Sequence, residues 1–213
     1  MIKCVIFDLD GVIVDSEEFH FLAWKEFLRM HGKKIDKDEQ KHLFGITNFE
    51  IFKILIPEAD PGRYLELDEE KESLYRDFAA GHLKALPGAV ELIMSLKKEG
   101  IKLAIGSSGN PVNIRFNLEK LGVLDYFDAI VSSHDVKKGK PNPEVFLIAT
   151  KKLGTLPKHC VVIEDSYHGI VAARSAGMKV IGVMTTHEAA KLKDADMIVK
   201  TLKDLNVQKI LHI

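Results

Sequence analysis

From residue 88 onward the chain repeats one pattern of apolar and polar positions. A stretch of helical period ends at a glycine, and a short unbroken apolar run follows. Residues 92–99 close at Gly100 before Ile101-Lys102-Leu103-Ala104-Ile105, and residues 114–121 close at Gly122 before Ala129-Ile130-Val131. Residues 143–153 close at Gly154 before Cys160-Val161-Val162-Ile163, and residues 170–176 close at Gly177 before Val180-Ile181-Gly182-Val183. Glycine adopts the left-handed conformation that ends a helix, so its recurrence marks four helix ends. Continuous apolar strands alternating with helices predict a parallel sheet buried on both faces. Residues 2–7 supply one more strand of the same kind, so the expected fold is α/β. It is a doubly wound parallel sheet of about five or six strands.

Residues 16–83 break this rhythm. They hold no convincing strand, and apolar positions such as Phe19, Ala23, Phe27 and Met30 fall at helical spacing. Asp15 with Glu18 fits a capping-box start, and Asp36-Lys37-Asp38-Glu39 and Thr47-Asn48-Phe49-Glu50 look like further helix starts. The acidic run Glu66-Leu67-Asp68-Glu69-Glu70 is expected to be a solvated helix face. The simplest organisation is a discontinuous α/β core, residues 1–15 and 84–213, with an all-helical cap, residues 16–83, inserted after the first strand. Hinges are expected near residues 14–16 and 82–88.

Composition narrows the classes. The chain is 46% hydrophobic and 29% charged with a formal net charge of −1, so it carries no basic excess for nucleic acid. No run approaches the roughly 20 apolar residues that span a membrane, and the first seven residues are too short for a signal peptide. Cys4 and Cys160 each sit in an apolar run and are expected reduced and buried. These features together predict a cytoplasmic protein with no membrane partner. No seam for a second copy shows, which leaves monomer or dimer.

Ligands of parallel α/β sheets bind beyond the carboxyl ends of the strands. After the first predicted strand comes Asp8-Leu9-Asp10-Gly11, and after the second Gly106-Ser107-Ser108. The third is followed by a loop with Lys137, Lys138 and Lys140, and the fourth by Glu164-Asp165-Ser166. Each piece alone has a plainer account. Asp8 and Asp10 suit a strand exit, Ser107-Ser108-Gly109-Asn110-Pro111 a turn, and Asn142-Pro143 and Glu164-Asp165-Ser166 helix entries. Their joint occurrence, each at a strand end, outlines a site for phosphate and a hard cation such as Mg²⁺.

Phe7-Asp8-Leu9-Asp10-Gly11-Val12-Ile13-Val14-Asp15-Ser16 resembles the first motif of the haloacid dehalogenase (HAD) superfamily. Ser107 matches its second motif, Lys140 its third and Glu164-Asp165 its fourth, so the resemblance spans essentially the whole chain. The helical insertion looks like the small cap of the β-phosphoglucomutase and phosphoglycolate phosphatase branch. The resemblance implies that Asp8 is an ionised nucleophile forming an aspartyl-phosphate, and that Asp10 is the general acid and base. It implies Mg²⁺ held by Asp8, Asp165 and the Asp10 carbonyl, with Glu164 as a further ligand or acting through water. Lys140 offsets anionic repulsion, and Ser107 and Ser108 meet the phosphoryl group.

The expected function is a Mg²⁺-dependent phosphatase for a small phosphate monoester, sugar phosphates first. A β-phosphoglucomutase-like phosphomutase is the alternative. Residues 43–48 match the cap's specificity loop, where those mutases carry a lysine and a phosphate-binding arginine. This chain has Phe44 and Asn48 there, and asparagine supplies no charge. His20 resembles a cap-helix histidine that restrains the general acid, or is a half-exposed histidine beside Trp24. Lys71 lies near a cap lysine of that branch, with a surface ion pair as the plainer account. A phospho-accepting signalling receiver domain is a remote third possibility, disfavoured because its acidic pair comes early in the chain.

Overall fold

A computed structural model of the chain describes residues 1–41, 43 and 46–213. Six strands, β1 (Cys4–Phe7), β2 (Lys102–Gly106), β3 (Ala129–Val131), β4 (Cys160–Glu164), β5 (Lys179–Val183) and β6 (Met197–Val199), form one sheet. Every pairing is parallel and the order is β3-β2-β1-β4-β5-β6. Helices α1 (Glu17–Met30), α2 (Lys37–Lys41), α3 (Asn48–Leu55) and α4 (Tyr64–Ala79) fall between β1 and β2. Helices α5 (Ala89–Lys98), α6 (Pro111–Lys120), α7 (Glu144–Leu153), α8 (Tyr167–Ser175) and α9 (Val207–Leu211) flank the sheet.

The interiors of the central strands are apolar because both faces are covered. Val5, Phe7, Leu103, Ile105, Val161 and Ile163 point to the side packed by Leu92, Ile93 and Ile114. The alternate positions Ile6, Ala104, Val162 and Val180 point to the other side, against Phe146, Ala149 and Ile170. Helices α1, α3 and α4 enclose a separate apolar cluster of Trp24, Phe27, Phe52, Tyr64 and Leu67. Burying aromatic side chains of this size is what lets so short a helical segment hold a core of its own.

The four glycines expected at helix ends, Gly100, Gly122, Gly154 and Gly177, all have positive φ. Thr47 caps α3 in a complete capping box with Glu50, and Asp36 Oδ1 accepts the Asp38 and Glu39 amides at the start of α2. Other local expectations are corrected. Helix α1 is entered at Ser16, without the Asp15–Glu18 box. Strand β6 does not stand out as a strand in the pattern, because its three residues are only half-buried. Leu67 and Asp68 of the acidic run face inward rather than to solvent. Cys4 and Cys160, expected reduced, are joined as a disulfide. They are register partners in adjacent strands β1 and β4, a neighbourhood that 156 residues of separation hides from sequence. No helix among the described residues is long and apolar enough to cross a membrane.

The chain leaves β1 toward β2 on one side and returns to β4 on the other. The sheet order therefore reverses between β1 and β4, the place where such folds open a crevice at their carboxyl edge.

Candidate active site

Asp8 follows directly on strand β1, Glu164 ends strand β4 and Asp165 follows it, so the reversal point brings three carboxylates together. Asp8, Glu164 and Asp165 are buried and each places an oxygen within 4.8 Å of the others. Lys140 answers this charge from the loop before α7. Its Nζ lies 2.9 Å from Asp8 Oδ1 and 2.6 Å from Glu164 Oε1. Burial opposes the Lys140 charge, but Asp8 and Glu164 outweigh it and hold the ammonium above its ordinary pKa.

Glu164 is fully engaged. Beyond Lys140, its Oε2 accepts the Asp165 and Ser166 amides and the Ser166 hydroxyl, each at 2.9 Å. A Cβ on Gly169 would fall 1.7 Å from Glu164 Oε1, so only glycine lets the first turn of α8 pass. Ser166 is at once the cap of α8, accepting the Gly169 amide, and a donor to Glu164.

Asp165 differs in that its Oδ2 is buried and accepts no hydrogen bond among the described residues. A Cβ on Gly11 would lie 2.1 Å from that atom, so the glycine keeps open the space the oxygen faces. An orphaned carboxylate oxygen, a neighbouring carboxylate and a cradle kept clear by glycine fit a divalent cation, and the all-oxygen donor set suits a hard one. Burial, then the Glu164 and Asp8 charges, raises Asp165 well above the ordinary carboxylate range.

Burial likewise pushes Asp8 up to about 7, with Glu164 and Asp10 adding to it and Lys140 opposing.

Asp10 sits one turn on. Its Oδ1 accepts the Ser16 hydroxyl at 2.6 Å and faces His20 Nε2 at 3.4 Å. His20 Nδ1 lies 2.8 Å from Lys71 Nζ. An ammonium has no acceptor, so this contact makes Nδ1 the acceptor and puts the ring proton on Nε2, toward Asp10. Burial raises the Asp10 pKa, but His20, Ser16 and Lys71 outweigh it and hold the group below its ordinary value. Ser107 Oγ accepts the Gly109 amide at 3.0 Å, which leaves its own proton available to donate.

Asp8, Asp10, Asp165, Ser107, Ser108, His20 and Asn48, all singled out from sequence, line one cavity of about 70 Å³. Lys140 and Glu164 stand directly behind Asp8. Phe44 lies outside the described residues. Asn48 is not open to a ligand alone, since its amide donates to Asp68 Oδ1 at 2.8 Å and to Glu72 Oε1.

Lys71 corrects the expectation of a surface ion pair. It is fully buried, bonded to Glu72 at 2.7 Å and His20, and lies over the Trp24 ring. Glu72, which lines the cavity, escaped the sequence reading altogether. A signal was present. Tyr64, Leu67, Asp68, Lys71, Glu72 and Tyr75 are spaced by three and four, so the apolar stripe of α4 runs straight through three charged residues. Charges at core positions of a helix mark a polar site rather than a solvated face.

A buried carboxylate paired with a buried lysine, hydroxyl groups and a cation cradle at a sheet reversal point are the equipment of an enzyme acting on phosphate esters. The chain belongs to the haloacid dehalogenase-like hydrolases, whose family model matches residues 5–183. It is 37% identical to the β-phosphoglucomutase of Bacillus subtilis, over 99% of this chain and 94% of that protein. It is 33% identical to the phosphorylated carbohydrates phosphatase of Thermotoga maritima, over 97% and 98%. A crystal structure of β-phosphoglucomutase from Clostridium difficile superposes with a TM-score of 0.90 at 31% identity, covering 100% and 96% of the two chains. The order of the site residues and this membership together remove the receiver-domain alternative.

Proposed function

We propose that the chain is a Mg²⁺-dependent phosphatase that hydrolyses a small phosphate monoester, a sugar phosphate, through an aspartyl-phosphate on Asp8. The observation that carries this is the charge arrangement at Asp8. One carboxylate is bridged to Lys140 while a second, Asp165, turns an unpartnered oxygen to the same cavity. Relatives named as phosphatases of phosphorylated carbohydrates and of hexitols support the class of substrate.

Asp8 attacks phosphorus and the ester oxygen leaves as the alcohol, taking its proton from Asp10. Water then attacks the aspartyl-phosphate, Asp10 takes the proton of that water, and inorganic phosphate leaves with Asp8 restored. The low pKa of Asp10 in the resting site suits the second step, where it is the base. Lys140 and Ser107 stabilise the charge on the phosphoryl oxygens. Asp8, Asp165 and the Asp10 carbonyl would hold Mg²⁺, which would supply charge neutralisation for the approach of two anions. Glu164, whose oxygens are committed to protein donors, anchors Lys140 rather than taking the cation directly. Residues 16–83 act as a cap over the core formed by 1–15 and 84–213.

The His20–Asp10 contact also favours a second reading, a phosphomutase in which a sugar hydroxyl rather than water takes the phosphoryl group from Asp8. Phosphate release from a panel of small monoesters, with and without Mg²⁺, separates the two. Release of inorganic phosphate from sugar phosphates, lost with chelator, is the expected result. No release, with β-glucose 1-phosphate isomerised once a bisphosphate primer is added, would establish the mutase instead.

Cation binding has a signature independent of turnover. Asp8 moves from 3.8 to about 7 on folding, so between those values the native state binds more protons than the unfolded chain. Stability of the cation-free protein therefore falls as pH rises through that window, and Asp165, shifted the same way, adds to the slope. Mg²⁺ binds the ionised carboxylates, so its stabilisation is expected to be larger at pH 8 than at pH 5. At 100 times Kd it contributes about 2.7 kcal/mol, roughly 5–10 °C in Tm for a chain of this size. Thermal melts at both pH values check this. An equal shift at pH 5 and pH 8, or none at either, would remove the assigned cation site.

A further inference from the structure

The end of the cavity away from Asp8 is built from charged groups that the transfer chemistry does not use. Asp68 and Glu72, each 2% exposed, stand one turn apart on α4 and draw donors from across the cavity. Asn110 Nδ2 donates to Asp68 Oδ2 at 2.6 Å, and His134 Nε2 lies 3.0 Å from the same atom. Asn113 donates to Glu72 Oε2, and Asn48 donates to both carboxylates. Lys71 is the cation buried among them, and it is spent on Glu72 Oε1 and His20 Nδ1. Arg76 reaches the pair only through Asn113 and is matched by Glu69, so among the described residues Lys71 is the one ammonium bonded to these two carboxylates, with His134 beside Asp68.

Glu72 is the carboxylate of the pair that lines the cavity. A carboxylate offers about four acceptor positions. Lys71 and Asn48 occupy those of Oε1, and Asn113 occupies one of Oε2. The remaining position suits a hydroxyl donor, beside the apolar side chains of Trp24, Ile46 and Ile51, which also line the cavity. A sugar or polyol offers that combination of hydroxyls and C–H faces. A second phosphate or a carboxylate offers only acceptors and negative charge.

We infer that Glu72 is the specificity-determining residue, receiving a hydroxyl at the non-phosphorylated end of the substrate and rejecting esters with a second anionic group there. This rests on the phosphatase assignment and narrows its substrate to monoesters with a neutral, hydroxylated tail. Like charges brought together in a desolvated site repel strongly, so the rejection is large.

The test compares kcat/KM for a hexose monophosphate with that for the same hexose bisphosphate, in the wild type and in Glu72→Gln. p-Nitrophenyl phosphate, whose tail has neither hydroxyl nor charge, reports the transfer chemistry by itself. The wild type is expected to prefer the monophosphate by about 10²-fold or more. Glu72→Gln is expected to cut that preference at least tenfold, mainly through KM, while lowering the difference between the hexose ester and p-nitrophenyl phosphate. If the variant does not fold, the wild-type ratio decides. Equal use of mono- and bisphosphate by the wild type, or an unchanged ratio in a folded Glu72→Gln, would overturn the role of Glu72 and leave the phosphatase standing. No release from any ester, p-nitrophenyl phosphate included, would overturn the phosphatase and this inference with it.

Discussion

With asparagine in place of Asp8, phosphate release is expected to fall by at least about 10⁴-fold for every ester, because removing an enzymic nucleophile costs on the order of 10⁶ in kcat. The amide has nearly the shape of the carboxylate but no oxygen able to form a stable bond to phosphorus. The fold should survive, and the cation-free variant should even gain stability. Burial holds Asp8 at a pKa of about 7, so at pH 8 the native protein carries a charge it poorly solvates. Asp8→Asn deletes that charge and leaves Lys140 its contact with Glu164. The variant is therefore expected to melt above the wild type at pH 8 without Mg²⁺, with the difference shrinking toward pH 5. Turnover within tenfold of the wild type would remove Asp8 as the nucleophile, whatever the melting curves show.

Lys140→Met should produce the largest loss of stability of any single change at the site. The lysine is buried beside Asp8 and Glu164, and no other ammonium among the described residues is paired with either. Removing one partner of a buried ion pair leaves an uncompensated charge and costs about 3–5 kcal/mol. In a chain of this size that is roughly 6–20 °C in Tm. Methionine keeps much of the side-chain volume, so the loss measures charge rather than packing. The deficit should narrow at low pH, where Asp8 takes up a proton. Phosphate release should also drop by about 10²–10³-fold, the usual effect of losing one group that stabilises transition-state charge. A melting point within 2 °C of the wild type at pH 8, judged against the roughly 2–4 °C expected per kcal/mol, would show that Lys140 does not neutralise this cluster.

Much of this is legible in the order of residues alone. Unbroken apolar runs ending in Asp8, Ser107 and Glu164-Asp165 announce both the buried parallel sheet and the edge on which chemistry gathers. Local burial writes itself into residue period, and a parallel sheet puts all its strand ends on one side. The capping box at Thr47 is legible for the same reason, since its partners lie three residues apart.

The features that sequence hides have partners remote along the chain. The Asp15–Glu18 box is a nearer miss, since the helix is entered one residue later, at Ser16, whose hydroxyl donates to Asp10 instead of capping it. Lys71 looks like a surface lysine because its neighbours in sequence are acidic, yet it is buried by Trp24, Tyr75 and His20. Asp68 and Glu72 take their meaning from Asn110, Asn113 and His134, some 40 to 66 residues away.

The sequence by itself thus determined the α/β sheet, the strand-end motif residues and the family to which they belong. Those depend on local period and on residue type at fixed places. Only the tertiary structure decided that Cys4 meets Cys160, that Asp8 shares its lysine with Glu164, and that the far pole of the cavity is acidic. Each depends on which elements become neighbours and on how much water they exclude. The pKa of a carboxylate and the affinity of a cavity follow from that exclusion rather than from the residue alone.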